Sequence, residues 1–138
     1  MTTEVSASFG QHPAEVQRPR RGVLVVDDDP DFRALARGIL EPAGYEVSEA
    51  EDVAECLSHL RSHATALVVL DLVMPDRDGI EGLAEIKALS PGTRIVTVSG
   101  AGRSEEYLKI SAFLGADATL DKCRIGCLCA LLKVVLER

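Results

Sequence analysis

The stretch Val23-Leu24-Val25-Val26-Asp27-Asp28-Asp29-Pro30 decides the fold. Four consecutive aliphatic residues, mostly β-branched, predict a short strand buried on both faces, as in a parallel sheet covered by helices. The acids therefore stand at its carboxyl end, and Asp29-Pro30 opens a helix, with an Asx cap followed by a proline at N1. Leu67-Val68-Val69-Leu70-Asp71 repeats the pattern and again ends on an acid. If the two strands are neighbours, carboxylates from separate segments converge, and their mutual repulsion calls for a cation. Hard oxygen ligands with room for water and a phosphate suit Mg²⁺.

Outward from this stretch, strand-like and helix-like patterns alternate five times from Gly22 onward. Strands are expected at residues 22–27, 45–49, 66–71, 94–98 and 117–121. Between them apolar residues recur at helical spacing, as in Phe32, Leu35, Ala36, Ile39 and Leu40, and a last helix is expected at about 124–136. Gly44, Ser90-Pro91-Gly92 and Gly115 punctuate the ends of the first, third and fourth helices. The expected class is α/β, a five-stranded parallel doubly wound sheet of (βα)₅ type with right-handed crossovers. The common order 2-1-3-4-5 places the first and third strands side by side at the switch point where ligands bind. Tyr45-Glu46-Val47-Ser48-Glu49 alternates and Asp117-Ala118-Thr119-Leu120 is mixed, as edge strands are, whereas the other three are nearly all aliphatic. Asp27, Asp28 and Asp71 then meet at one crevice.

Ser99 and Lys122 end the fourth and fifth strands and are expected to border the same crevice. A phosphoryl group moving onto a carboxylate develops charge on its peripheral oxygens, which an ammonium, a hydroxyl donor and Mg²⁺ stabilise. Asp71, mid-crevice, is the expected nucleophile, and Asp27 and Asp28 chiefly hold the metal. Singly, each residue has an ordinary reading: Asp29 as a helix cap, Lys122 and Ser99 as loop residues. Their joint placement at four strand ends favours a site.

The 138 residues, 46% hydrophobic, suit one domain. A net charge of −7 argues against direct nucleic-acid binding, which relies on clustered Lys and Arg. Residues 1–21 mix Ser, Thr, Gln, Pro, Glu and Arg without periodicity and read as a disordered leader, leaving a domain at 22–138. No signal-peptide core or membrane span is present in the sequence, so a cytoplasmic location with free thiols at Cys56, Cys123, Cys127 and Cys129 is expected. Cys123 and Cys127 share one face at helical spacing while Cys129 points elsewhere, so these thiols read as small hydrophobes rather than a metal or redox site. His59 and His63, also four apart, read as surface residues of the second helix.

Val25-Val26-Asp27-Asp28-Asp29-Pro30, Leu70-Asp71-Leu72-Val73-Met74-Pro75-Asp76-Arg77-Asp78-Gly79, Ser99-Gly100 and Gly115-Ala116-Asp117-Ala118-Thr119-Leu120-Asp121-Lys122 together resemble the receiver domain of two-component response regulators. The resemblance spans about residues 22–138 and implies a flavodoxin-like fold. It implies that Asp71 accepts a phosphoryl group from a phosphohistidine on a sensor histidine kinase or histidine phosphotransfer protein. It further implies that Asp27, Asp28, Asp71 and the Val73 carbonyl surround Mg²⁺, while Ser99 and Lys122 contact the phosphoryl oxygens. Such a protein is a phosphoryl acceptor rather than an enzyme. With no output domain in the sequence, its effect is expected to pass by protein contact over the fourth helix, fifth strand and fifth helix, or by onward phosphotransfer.

The chain departs from the family pattern at four positions. Thr119 stands where receivers usually carry an aromatic ring, and Cys123 where they usually carry Pro, commonly cis; Cys123 is expected in a trans bond, with a differently set loop that displaces Lys122. Val73 and Ala101 occupy positions that often bear polar groups acting on the attacking water, leaving the phosphate either longer lived or more open to water. Two other functions compete. One is a receiver-like interaction module that is never phosphorylated; the other is a Mg²⁺-dependent haloacid dehalogenase-type phosphatase, whose second Asp is replaced here by Val73.

Overall fold

The structure is a computed structural model that describes residues 21–74, 79–100 and 104–138. Its elements run β1 (Gly22–Val26), α1 (Pro30–Leu40), β2 (Glu46–Ala50), α2 (Val53–Ser62), β3 (Leu67–Asp71), α3 (Gly79–Leu89), β4 (Arg94–Ser99), α4 (Ser104–Phe113), β5 (Ala118–Asp121) and α5 (Leu128–Leu136). The strands pair in parallel in the order β2-β1-β3-β4-β5. Fold class and strand order therefore agree with the reading of the sequence, with strand ends shifted by one residue at most positions.

Period-2 alternation divides the aliphatic strands between two cores. Val23, Val25, Leu67, Val69, Val96, Val98 and Leu120 pack against Phe32, Ala36 and Leu40 of α1 and Leu128, Leu132 and Val135 of α5. Leu24, Val26, Val68, Leu70 and Ile95 turn the other way, onto Cys56 of α2 and Leu83 and Ile86 of α3. α4 joins this second face through a buried polar contact, Thr97 Oγ1 to Ser111 Oγ at 2.7 Å. Ser111 Oγ also donates to the Leu108 carbonyl at 2.9 Å, so the Thr97 hydroxyl is the donor between the two.

Caps explain the element starts. Asp29 accepts from the Asp31 N–H with Pro30 at N1, and Asp52 caps α2 by accepting from the Glu55 N–H at 2.8 Å. Gly44 and Gly115 adopt φ of 99° and 108°, the left-handed conformation that ends a helix most cheaply at glycine.

The carboxyl end of the chain differs from expectation. Instead of one helix over 124–136, a 3₁₀ segment covers Lys122–Cys127, with Arg124 non-helical, and α5 begins only at Leu128. In this tighter coil Cys123 and Cys127 do not form one buried helical face; both thiols are exposed, and only Cys56 is a fully buried hydrophobe. Cys129 is half-buried and donates to the Ile39 carbonyl at 3.4 Å.

Both described ends of the chain are tied at the amino-terminal pole of the sheet. Arg21, expected within the leader, donates from Nη1 to the Gly44 carbonyl at 2.9 Å. At the other end Arg94 Nη2 donates to the Arg138 carbonyl at 3.4 Å and Arg138 Nη1 to the Asp117 carbonyl at 3.1 Å. The rest of the leader, residues 1–20, lies outside the described residues, as do Pro75-Asp76-Arg77-Asp78 and Ala101.

Candidate functional site

The register of β1 against β3 pairs Val26 with Leu70, so the residues that follow emerge side by side at the carboxyl pole. Ligating oxygens of Asp27, Asp28 and Asp71 all lie within 4.8 Å of one another. Asp27 is 0% and Asp71 2% exposed, whereas Asp28 is open to solvent. They line an open cavity of about 320 Å³ together with Asp29, Val73, Gly100, Asp121, Lys122 and Cys123.

Lys122 enters from the end of β5, its ammonium 2.7 Å from Asp27 Oδ2 and 3.4 Å from Asp71 Oδ2. It also lies 4.4 Å from the centroid of the Phe32 ring. Burial works against this ammonium, but hydrogen bonding to Asp27 and the charges of Asp71 and Asp27 hold its pKa above the ordinary value. The expected displacement of Lys122 by Cys123 does not occur. No cis peptide is present among the described residues, and the Cys123 N–H, a donor that proline lacks, bonds Asp121 Oδ1 at 3.0 Å and sets the 3₁₀ turn behind Lys122.

Asp71 is held by the Val73 N–H, which donates to its Oδ1 at 3.1 Å. Burial raises its pKa to about 6; the Val73 amide works against that rise, Asp27 adds to it, and Lys122 offsets part of it. Asp27 Oδ1 accepts from the Asp29 N–H at 2.9 Å, which turns the acidic loop back onto itself.

Ser99 ends β4 opposite Asp121, fully buried, and is not among the residues that line the cavity. By strand alternation it shares the face of Ile95 and Thr97. Gly100, the next residue, borders the cavity instead. A Cβ there would stand 3.0 Å from Lys122 Cβ and 3.2 Å from its Cδ, so glycine gives the lysine stem its path.

Two further contributors lie outside the expected set of site residues. A Cβ at Gly79 would meet the Asp71 carbonyl oxygen and Leu72 Cα at 2.5 Å, so only glycine lets α3 start directly against the end of β3. Arg33 Nη1 donates to the Asp27 carbonyl at 2.6 Å while its Nε bonds Glu49 at 2.8 Å, bracing the acidic loop against β2. The Arg37 and Arg33 hydrogen bonds hold Glu49 below its ordinary pKa.

A buried acid pair, an exposed third acid and an ammonium at the carboxyl pole of this sheet suit a divalent cation and an incoming phosphoryl group. The response regulator receiver domain family matches residues 23–132. The chain belongs to this family. The receiver is 39% identical over 100 residues to the chemotaxis protein CheY of Halobacterium salinarum, covering 72% of this chain and 82% of that one. It is 40% identical to the KDP operon transcriptional regulatory protein KdpE of Escherichia coli, covering 84% of this chain but only 51% of that longer protein. Among solved structures, a CheY-like receiver from Methanospirillum hungatei superposes with a TM-score of 0.78 at 32% identity, over 85% of this chain and 94% of that one. A Burkholderia pseudomallei response regulator solved with a phosphorylated aspartic acid and a calcium ion gives 0.68 at 27%, over 74% and 59%.

As a receiver, the protein is a phosphoryl acceptor in two-component signalling rather than an enzyme. Its family works with histidine kinases or phosphotransfer proteins. No helix among the described residues is long and apolar enough to cross a membrane.

Proposed function

We propose that Asp71 is the residue that accepts the phosphoryl group, with Mg²⁺ held by Asp27, Asp28, Asp71 and the Val73 carbonyl. The observation that carries this reading is the convergence of three carboxylates within 4.8 Å beside a lysine ammonium. The donor set is all oxygen and carries more negative charge than Lys122 balances, which fits a hard divalent cation. Bound there, Mg²⁺ would neutralise charge on the transferring group and the carboxylates.

The chain's own residues do the rest. The Val73 amide fixes one Asp71 oxygen, leaving Oδ2 toward Lys122 as the attacking atom. A phosphohistidine on a sensor kinase or phosphotransfer protein loses its P–N bond as the Asp71 O–P bond forms, and the departing imidazole takes a proton from solvent. Lys122 then exchanges part of its contact with Asp27 and Asp71 for a phosphoryl oxygen. Ser99, buried at the end of β4, is the hydroxyl drawn toward that oxygen, which makes it the group that reports phosphorylation.

The change is then read by a protein partner over α4, β5 and α5. A cavity of about 530 Å³ lies on this face, lined among others by Leu108, Thr119, Arg124, Leu131 and Val134. Thr119 offers no ring to rotate, so the response travels through the backbone of β4 and its Thr97–Ser111 link to α4. We place the protein in the cytoplasm, where such kinases present their phosphohistidine.

Incubation with acetyl phosphate and Mg²⁺ followed by intact mass tests the assignment. The expected result is one added phosphoryl group that is lost in Asp71→Asn and on chelation. A chain that stays unmodified with every small donor and with a phosphorylated kinase would instead be a receiver used only as an interaction module.

A further inference from the structure

The amino-terminal pole, opposite the acids, holds a second group of metal-ligating side chains. His59 lies in the last turn of α2 and His63 follows its end, with the His63 N–H donating to the His59 carbonyl at 2.9 Å. The two imidazoles stack, with ring centroids 4.3 Å apart and planes 7° from parallel. They border a cavity of about 120 Å³ that also touches Glu46, Ser48 and Thr65. Two protonated rings at this separation would repel. Burial, and then His63 beside it, lower the His59 pKa, so at neutral pH its ring keeps a lone pair for a metal.

The Ser62 hydroxyl holds one edge of the His63 ring. Its Oγ lies 2.8 Å from His63 Nδ1, 3.3 Å from the Ser58 carbonyl and 3.4 Å from the His59 carbonyl. Either atom of the Oγ–Nδ1 pair can donate to the other, so this contact holds the Nδ1 side of the ring and leaves Nε2 as the nitrogen outside it. An outer partner fixing the far nitrogen is the usual arrangement around a metal-binding histidine.

We propose that His59 and His63 clamp a divalent transition-metal ion of the Zn²⁺ or Ni²⁺ type. Imidazole selects such ions over Mg²⁺, which prefers the all-oxygen acid cluster at the other pole. Two nitrogens bound to one ion at about 2.0–2.1 Å stand roughly 3 Å apart, so both rings must turn out of the stacked arrangement to aim a lone pair at the same ion. Among the described residues no third ligating atom converges with them. The site is therefore a two-imidazole clamp, with the Glu46 carboxylate on the cavity rim adding negative charge rather than a preformed bond.

The test is a Zn²⁺ titration of the full chain in excess Mg²⁺, with exposed thiols alkylated, followed by histidine side-chain ¹⁵N NMR. The His59 and His63 resonances are expected to shift together and saturate at one equivalent while those of His12 stay in place. His59→Gln and His63→Gln should each weaken binding at least tenfold, with melting curves showing that the variants remain folded. Asp71→Asn should bind Zn²⁺ as the native chain does, which separates this site from the phosphoryl-acceptor reading. Zn²⁺ binding that persists undiminished in the doubly substituted chain, or that moves neither ring, would overturn the proposal.

Discussion

At Asp71, burial and charge pull against each other. Its folded pKa of about 6 lies above the ordinary carboxylate value of 3.8, so the folded state holds the proton more tightly than the unfolded chain does. Stability from this group is therefore fully present below about pH 4 and is lost as pH rises through 6, a difference on the order of 2–3 kcal/mol. Asp71→Asn keeps the acceptor for the Val73 amide without the buried charge. It should unfold at higher urea than the native chain at pH 7, with the gap closing toward pH 4. In the same window the acid gives up a proton to bind metal, so Mg²⁺ affinity measured by calorimetry should rise between pH 5 and pH 7 and flatten above. The acids were legible in the sequence because they follow aliphatic runs, and Lys122 because it ends the fifth expected strand. Gly79 and Gly100 stood in the family motifs without a role, because what they contribute is the absence of a side chain, which only the neighbouring backbone or lysine stem makes meaningful. Gly79→Ala places a methyl 2.5 Å from the Asp71 carbonyl oxygen and should cost about 3 kcal/mol or more in chemical denaturation while also weakening Mg²⁺ binding.

At the scale of elements, β4 and α4 share a polar link inside an otherwise apolar layer. Ser111→Ala leaves the buried Thr97 hydroxyl without its acceptor and should cost about 1–3 kcal/mol, whereas Thr97→Val with Ser111→Ala should recover much of that loss. A double-mutant cycle by urea melts measures the coupling directly. If β4 transmits through this link, the double variant should still accept phosphate but show smaller NMR shift changes in α4 on phosphorylation. Strand and helix positions were readable from periodicity, yet the break before α5 was not. Ile125, Leu128, Leu131, Leu132 and Val135 fit a continuous helical stripe, but Asp121 captures the Cys123 N–H and tightens the first turns into a 3₁₀ coil. A local cap outweighed an apolar pattern, and two thiols placed by that pattern in the interior stand in solvent.

For the molecule as a whole, the order β2-β1-β3-β4-β5 is the common one for this class, and composition agreed with it because strands covered on both faces must be aliphatic throughout, while edges tolerate Glu46, Glu49 and Asp117. Side-chain burial at Ser99 was not legible, since it depends on which face the last residue of β4 presents. Metal binding should tie the carboxyl pole together: saturating Mg²⁺ is expected to raise the melting temperature of the native chain and to do so far less in Asp27→Asn, measured by calorimetric scanning. The entry and exit of the described chain, held by Arg21 on Gly44 and by Arg138 on Asp117, lie at the pole away from the acids. A fluorescent reporter or a second module joined after Arg138 would thus hang beneath the sheet like a weight below a bowl, leaving the rim clear for a docking kinase. The same geometry makes this unit easy to splice into longer polypeptides without obstructing the face that receives the signal.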